Sequence, residues 1–204
     1  VIIVMHHEQD MRKMGGLFKY MPITSITCLV GTLALIGFPG TSGFFSKDII
    51  IEAVHHSTLP ASNFAYYAVL SGVFVTALYS FRLLFMTFFG KENMNRETWK
   101  NLHEAPAVVT TPLLVLAVPS LLLGIFLVEP LLTGNYFGSA IYVSPEHDVL
   151  SKIAAEYHGV FYFITHAFLY PPVYLTFLGI FVAWLCYIKY PDLPGKFVNR
   201  IEFI

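Results

Sequence analysis

The segment from Met21 to His55 is apolar for most of its length, yet too long for one straight membrane crossing. At 1.5 Å rise per residue it would make about 52 Å of helix, against a hydrocarbon core of about 30 Å. Something has to bend or break it, and residues 37–50, GFPGTSGFFSKDII, supply the means. Pro39 removes a helical hydrogen bond, Gly40 and Gly43 relax the backbone, and Thr41 or Ser42 can cap a new helix start. The expectation is a discontinuous helix whose ladder fails between Pro39 and Gly43 and resumes before Lys47. Irregular backbone at membrane depth is tolerated only where protein or water surrounds it, so such breaks tend to sit at ion pathways.

Composition sets the solvent. The chain is 56% hydrophobic and 12% charged, with a mean hydropathy of +0.65, where soluble chains carry about 25% charged residues. It reads as a membrane protein, all-α, a polytopic transmembrane helix bundle. A net charge of −1 excludes the basic balance of nucleic-acid binding, and the abundant Phe and Tyr suit lipid contact and interfacial belts. Cys28 and Cys186 fall in apolar stretches without a CxxC partner, which points to core thiols rather than a disulfide framework or a metal site. The chain opens on VIIVM, which resembles the last turn of a helix begun upstream, so a fragment is expected, with no signal peptide to interpret. The layout is then the end of a helix at 1–5, the broken helix at 21–55, transmembrane helices at 64–89, 107–128 and 161–188, and a tail at 189–204.

Counting Lys and Arg tests that layout, since cytoplasmic loops hold the excess and sides must alternate. Arg12, Lys13, Lys19, Lys91, Arg96, Lys100, Lys189, Lys196 and Arg200 all fall on one side, and only Lys152 on the other. Lys47 and Arg82 lie within spans. The alternation supports five crossings, counting the truncated first one, with the MRKMGGLFK loop and the C-terminal tail cytoplasmic.

Lys47 would lie about one turn into the second half-helix. Desolvation and the positive end of that helix's dipole both disfavour an ammonium there, so this lysine could release and regain a proton, as a relay requires. The alternative is that the first half already crosses the core and Lys47 snorkels to the far headgroups. Asp48, Glu52 and His55 recur at i, i+4 and i+7 and share one stripe, with Lys47 about a quarter-turn away. That stripe reads either as a hydrated path or as a solvated helix end.

The sequence HHEQDMRKMGGL, followed by a span and GFPGTSGFFSKD, resembles the antiporter-like subunit L of bacterial respiratory complex I, whose mitochondrial counterpart is subunit 5. ALYSFRLLFMTFFGKEN and LHEAPAVVTTPLLVLAVPSLLLG resemble the same family in the same order, so the likeness covers the whole chain. It implies the C-terminal part of such a subunit: an antiporter-like bundle with inverted repeats and two broken helices. It also implies a proton-translocating part of NADH:quinone oxidoreductase, a translocase driven by quinone reduction elsewhere. Lys47 would match the lysine of the second broken helix, at the outward end of the proton path, and Asp48 its acidic neighbour. The family's other relay residues would lie upstream of Val1, and its lateral helix would follow Ile204. No cofactor is implied in this chain, since flavin, iron–sulfur clusters and quinone belong to other subunits. The implied partners are other membrane subunits, chiefly a neighbouring antiporter-like one, and the lipid of a bacterial inner membrane. The large subunit of a multisubunit sodium/proton antiporter resembles the same bundle and is the alternative. A structural anchor with an inert lysine is a third reading.

Other polar residues are accessory at most. His6, His7 and Glu8 are consecutive and cannot converge on one metal ion from a single helix face. His6 and His7 read as a surface loop or as a cytoplasmic proton entry. Arg82, seven residues before the end of its span and about 10 Å deep by helical rise, reads as snorkelling, as half of an ion pair or as part of a water-lined crossing. His166, near Pro171 and Pro172, reads as interfacial or as a relay. The charge count yields a test of topology: in sealed vesicles, an impermeant amine reagent should label Lys13, Lys91 and Lys196 from the same side. Labelling of Lys91 from the opposite side to Lys13 would overturn the layout.

Overall fold

The structure, a computed structural model, describes residues 1–94, 102–132, 134, 136–138 and 140–201. Arg96 and Lys100 of the charge count, and the last three residues of the tail, lie outside them. Among the described residues every regular element is helical. Helix α1 spans Pro22–Ile36, α2 Ser42–His56, α3 Ser62–Leu84, α4 Ala107–Leu132, α5 Val149–Glu156, α6 Val160–Ala167, α7 Pro171–Trp184 and α8 Leu193–Ile201. Helices α3 and α7 each continue into a π turn, at Phe85–Phe89 and Leu185–Lys189. With those turns, Ser62–Phe89, Ala107–Leu132 and Pro171–Lys189 are long and apolar enough to cross a membrane.

Helix α1 begins at Pro22, whose fixed φ suits the first helical position. Its free N-terminal donors are met from a distant segment. The Glu104 carboxylate accepts from the Ile23 amide at 2.7 Å, the Thr24 amide at 3.4 Å and the Thr24 hydroxyl at 2.6 Å. Since Glu104 lies three residues before the start of α4, this contact places the starts of α1 and α4 at the same end of the bundle.

The ladder of α1 stops at Gly37, two residues earlier than Pro39. Gly37 is left-handed at φ 74°, the Phe38 amide bonds the Leu33 carbonyl, and the Gly37 amide bonds that of Ala34. These two bonds are the Schellman pattern, which glycine accommodates without a Cβ penalty. Thr41 and Ser42 were both candidates to cap the second helix, and neither does so by its side chain. The Thr41 hydroxyl turns back to the Phe38 carbonyl at 2.8 Å. That of Ser42 donates to the Pro119 carbonyl at 2.7 Å and accepts from the Gly124 amide at 2.9 Å. The hydroxyl therefore serves α4 rather than α2.

Two glycines permit this junction. A Cβ on Gly43 would lie 1.8 Å from the Ala34 carbonyl oxygen, and one on Gly124 would lie 2.6 Å from the Ser42 Cα and from the Phe45 ring. The first turn of α2 thus lies beside the last turn of α1 and against the middle of α4. Phe44 and Phe45 pack further along against Val128, so α4 runs parallel to the α1–α2 course.

Helix α3 packs most extensively on α7. Leu70 and Val73 share a cluster with Leu175, Gly179 sits against Ala77 and the Phe74 carbonyl, and Arg82 lies over the Tyr187 ring. The two numberings rise together, so these helices are parallel to each other.

The expected span 161–188 is corrected to two helices, α6 and α7, parted at Phe168–Tyr170. Pro171 and Pro172 carry no N–H, and a proline ring pushes the preceding residue out of the helical region, so the ladder of α6 cannot pass into α7. The expected 107–128 runs on to Leu132. The tail contains α8, and the long loop before residue 160 contains α5. Residues 1–7 form hydrogen-bonded turns closed by His6 and His7 with left-handed φ of 52° and 67°.

Packing at the junction makes a graded prediction. Gly43→Ala should destabilise the protein by about 1–3 kcal/mol, because backbone must move to admit the methyl group. Gly72→Ala in α3, where an added Cβ meets nothing within 4 Å, should be neutral or stabilising by up to about 1 kcal/mol. Thermal unfolding in one detergent measures both, and equal melting temperatures would contradict the close approach.

Candidate functional site

The break in the backbone shapes the surroundings of Lys47. Its Nζ donates to the Leu35 carbonyl at 3.3 Å, and its Cδ lies 3.2 Å from where a Cβ of Gly37 would stand. Gly37 therefore both ends α1 and leaves room for the lysine stem. By helical rise Leu35 is about 20 Å from Pro22, within a core of about 30 Å. The side chain reaches back toward the junction rather than outward along α2. The dipole of α2 is not alone at Lys47. The amine stands between the positive start of α2 and the negative end of α1, dipoles of opposite polarity.

Asp48 and Glu52 face elsewhere. Both line a cavity of about 190 Å³ bounded by α2, α5 and α6, together with Glu156, His158, Tyr162, His166 and Tyr170. A second chamber of about 290 Å³ shares Asp48, Glu52, Glu156 and Tyr170, and adds His55, His56 and Tyr66. At roughly 30 Å³ per water in the liquid, the first could hold about six waters. The stripe read from the sequence, Asp48, Glu52 and His55, is thus brought together with groups from other elements. His55 also stacks on Tyr66, with ring centroids 4.8 Å apart.

The sequence reading missed most of the opposite wall. His158, Tyr162, His166 and Tyr170 recur at every fourth position, and their rings follow one another at 5.0, 4.9 and 5.4 Å. That i, i+4 spacing was legible as a single polar-aromatic stripe, had His166 been read with its neighbours instead of alone. Nothing local could have placed Glu156 across from Glu52, because their approach depends on how α5 docks on α2. Chemically, the two chambers join carboxylates, imidazoles and phenols, each able to accept or donate a proton, in a space that admits water.

The remaining site candidates lie at the other end of the bundle. Arg82 sits 5.6 Å from the Tyr187 ring centroid, a cation–π contact, and lines a cavity of about 610 Å³ with Arg12, Lys91 and Tyr187. His6 and His7 border a separate cavity with Glu8, Lys13, Asn93 and Met94. The Glu8 carboxylate is engaged by Lys13 at 2.8 Å and by the Gln9 and Asp10 amides. Asn93 ties the two loops together, its amide bonding the Met14 carbonyl and its side chain that of Arg12. Lys19 meets Glu92 at 3.4 Å. Cys28 and Cys186 are free thiols.

In this exposed loop, hydrogen bonds from the Arg12 guanidinium and amide hold the Asp10 carboxyl down at about 2, from an ordinary 3.8. The folded loop binds this proton less readily than the unfolded chain, so its advantage is complete above 3.8 and fades as pH falls through about 2. The Asp10 carboxyl carbon should titrate by NMR with a midpoint near 2 in the wild type and at a higher pH in Arg12→Gln, which keeps the residue-12 amide bond but loses those of the guanidinium. Equal midpoints would refute the pairing.

Comparison with known proteins locates this geometry. A family model described as NADH:quinone oxidoreductase/Mrp antiporter, transmembrane, matches residues 1–74, the stretch that holds Lys47, Asp48, Glu52 and His55. NADH-quinone oxidoreductase subunit L of Neisseria meningitidis serogroup A is 46% identical over 98% of this chain and 32% of its own length. NADH-ubiquinone oxidoreductase chain 5 of Marchantia polymorpha is 36% identical over 90% of this chain and 27% of its own. That of Phytophthora infestans is 37% identical over 92% and 27%. The chain spans about a third of the length of the curated relatives it matches.

Proposed function

Because the chain belongs to the family of NADH-quinone oxidoreductase subunit L and chain 5, the antiporter-like membrane subunits of that enzyme complex, we propose that it moves protons through a lysine-based relay. In this reading Lys47 takes a proton at the α1–α2 junction and passes it, through Asp48 or intervening water, to the chamber lined by Asp48 and Glu52. The carboxylates and the His158–Tyr170 stripe carry it onward to the far surface. The redox chemistry that drives the cycle belongs to other chains. Other membrane subunits, chiefly a neighbouring antiporter-like one, flank this chain in the energy-coupling membrane, with the Arg12–Lys91 end facing the cytoplasm.

One observation carries the proposal: Lys47 sits at a helix junction with its amine against the end of α1, while its sequence neighbour Asp48 opens into a polar chamber. A lysine serving only to anchor the protein at headgroups would extend away from the junction. A lysine held at a carbonyl, one residue from a carboxylate on a cavity wall, is placed to exchange a proton.

Substitution separates the two roles. Lys47→Ala should leave the complex assembled but lower proton pumping, and through coupling quinone reduction, by at least about tenfold, or about 1.4 kcal/mol on the transfer barrier. Lys47→Arg preserves charge and approximate reach, yet guanidinium does not release its proton in this range, so pumping should remain impaired. Lys47→His restores a titratable group and should recover part of the rate. Sodium-free medium keeps the measurement to protons and tests the sodium antiporter alternative. Wild-type pumping by assembled Lys47→Arg would overturn the relay.

A further inference from the structure

Where the two chambers meet, Glu52, His56 and Glu156 bring one ligand atom each within 4.8 Å of one another. The three come from two elements, Glu52 and His56 one turn apart on α2 and Glu156 at the end of α5. The i, i+4 spacing directs a carboxylate and an imidazole to one side of a helix, an arrangement that can chelate an ion. Among the described residues, neither carboxylate has a Lys or Arg partner within 4 Å. Two carboxylates thus approach each other without a fixed cation between them.

From this convergence we propose that Glu52, His56 and Glu156 form a binding site for a zinc-class divalent ion. An imidazole beside two carboxylates is a donor set for zinc and its transition-metal neighbours, whereas magnesium and calcium take oxygen ligands. Tetrahedral zinc at about 2.0–2.1 Å from each donor needs ligand atoms about 3.3 Å apart. The ligand atoms must close in from 4.8 Å, and Glu156, exposed at a helix end, is the member placed to move. The chamber leaves space for water as the fourth ligand. A bound ion would clamp α5 to α2 and hold Glu52 away from proton exchange. That consequence rests on the proposed relay; the binding itself does not.

Equilibrium dialysis of the purified full-length protein in nanodiscs against ZnCl₂, with millimolar MgCl₂ present, decides the matter. The wild type should bind one zinc more tightly, by at least about tenfold, than either His56→Ala or Glu156→Gln. An isotherm unchanged in both variants would overturn the site, as would displacement of the zinc by the magnesium present. The isotherm is read without proton transport, so its result is independent of the Lys47 series.

Discussion

Backbone polar groups released inside a membrane must find partners within the protein, and the α1–α2 junction is built around meeting that demand. The Leu33 and Ala34 carbonyls are taken by the Phe38 and Gly37 amides, the Phe38 carbonyl by both the amide and the hydroxyl of Thr41, and the Leu35 carbonyl by Lys47. The lysine is therefore a structural partner of the break.

Satisfying the junction fixes the rest of the bundle. Ser42 holds α4 through both a carbonyl and an amide, and Gly43 and Gly124 let three segments meet at backbone distance. Glu104 fastens the other end of α4 to the start of α1. With α4 held at two points along one side of α1 and α2, α5 and α6 are left to face the Asp48–Glu52 surface of α2. The prolines that end α6 open a second interruption, and the polar chamber lies beside it, lined by Ala167 and Tyr170.

Much of this was legible from residues alone. The excess length of Met21–His55 and its Gly-Pro composition point to a break, and the charge count separates the two ends. Phe64–Phe89 and Ala107–Val128 are helical throughout, as their uniform hydropathy requires. Pro171 and Pro172 were visible too, but hydropathy averages over a short interruption, so 161–188 read as continuous. The exact start of the first break was hidden because Gly37 and Pro39 can each stop a helix, and only the Schellman bonds decide between them. Ser42 read as a cap because capping is local, while its real partners lie some eighty positions away. Glu156 and His56 stayed invisible for the same reason: a residue's chemistry is in the sequence, but its neighbours across a tertiary contact are not.

The two ends of the bundle also differ in kind, which bears on direction. Around Arg12, Lys13 and Lys19 the charges are long, exposed and paired at the surface, and such pairs contribute little energy while marking the side on which the loops reside. Around Glu52, Glu156 and the His158–Tyr170 stripe the groups are short-range proton donors and acceptors at cavity walls. Lys47 lies between these ends, its stem against Gly37 and its amine turned toward the basic side. Among the described residues, Asp48, next to Lys47 in the chain, is where the titratable lining of the chamber begins. The asymmetry of partners, rather than any property of the lysine alone, gives the proposed relay its sense.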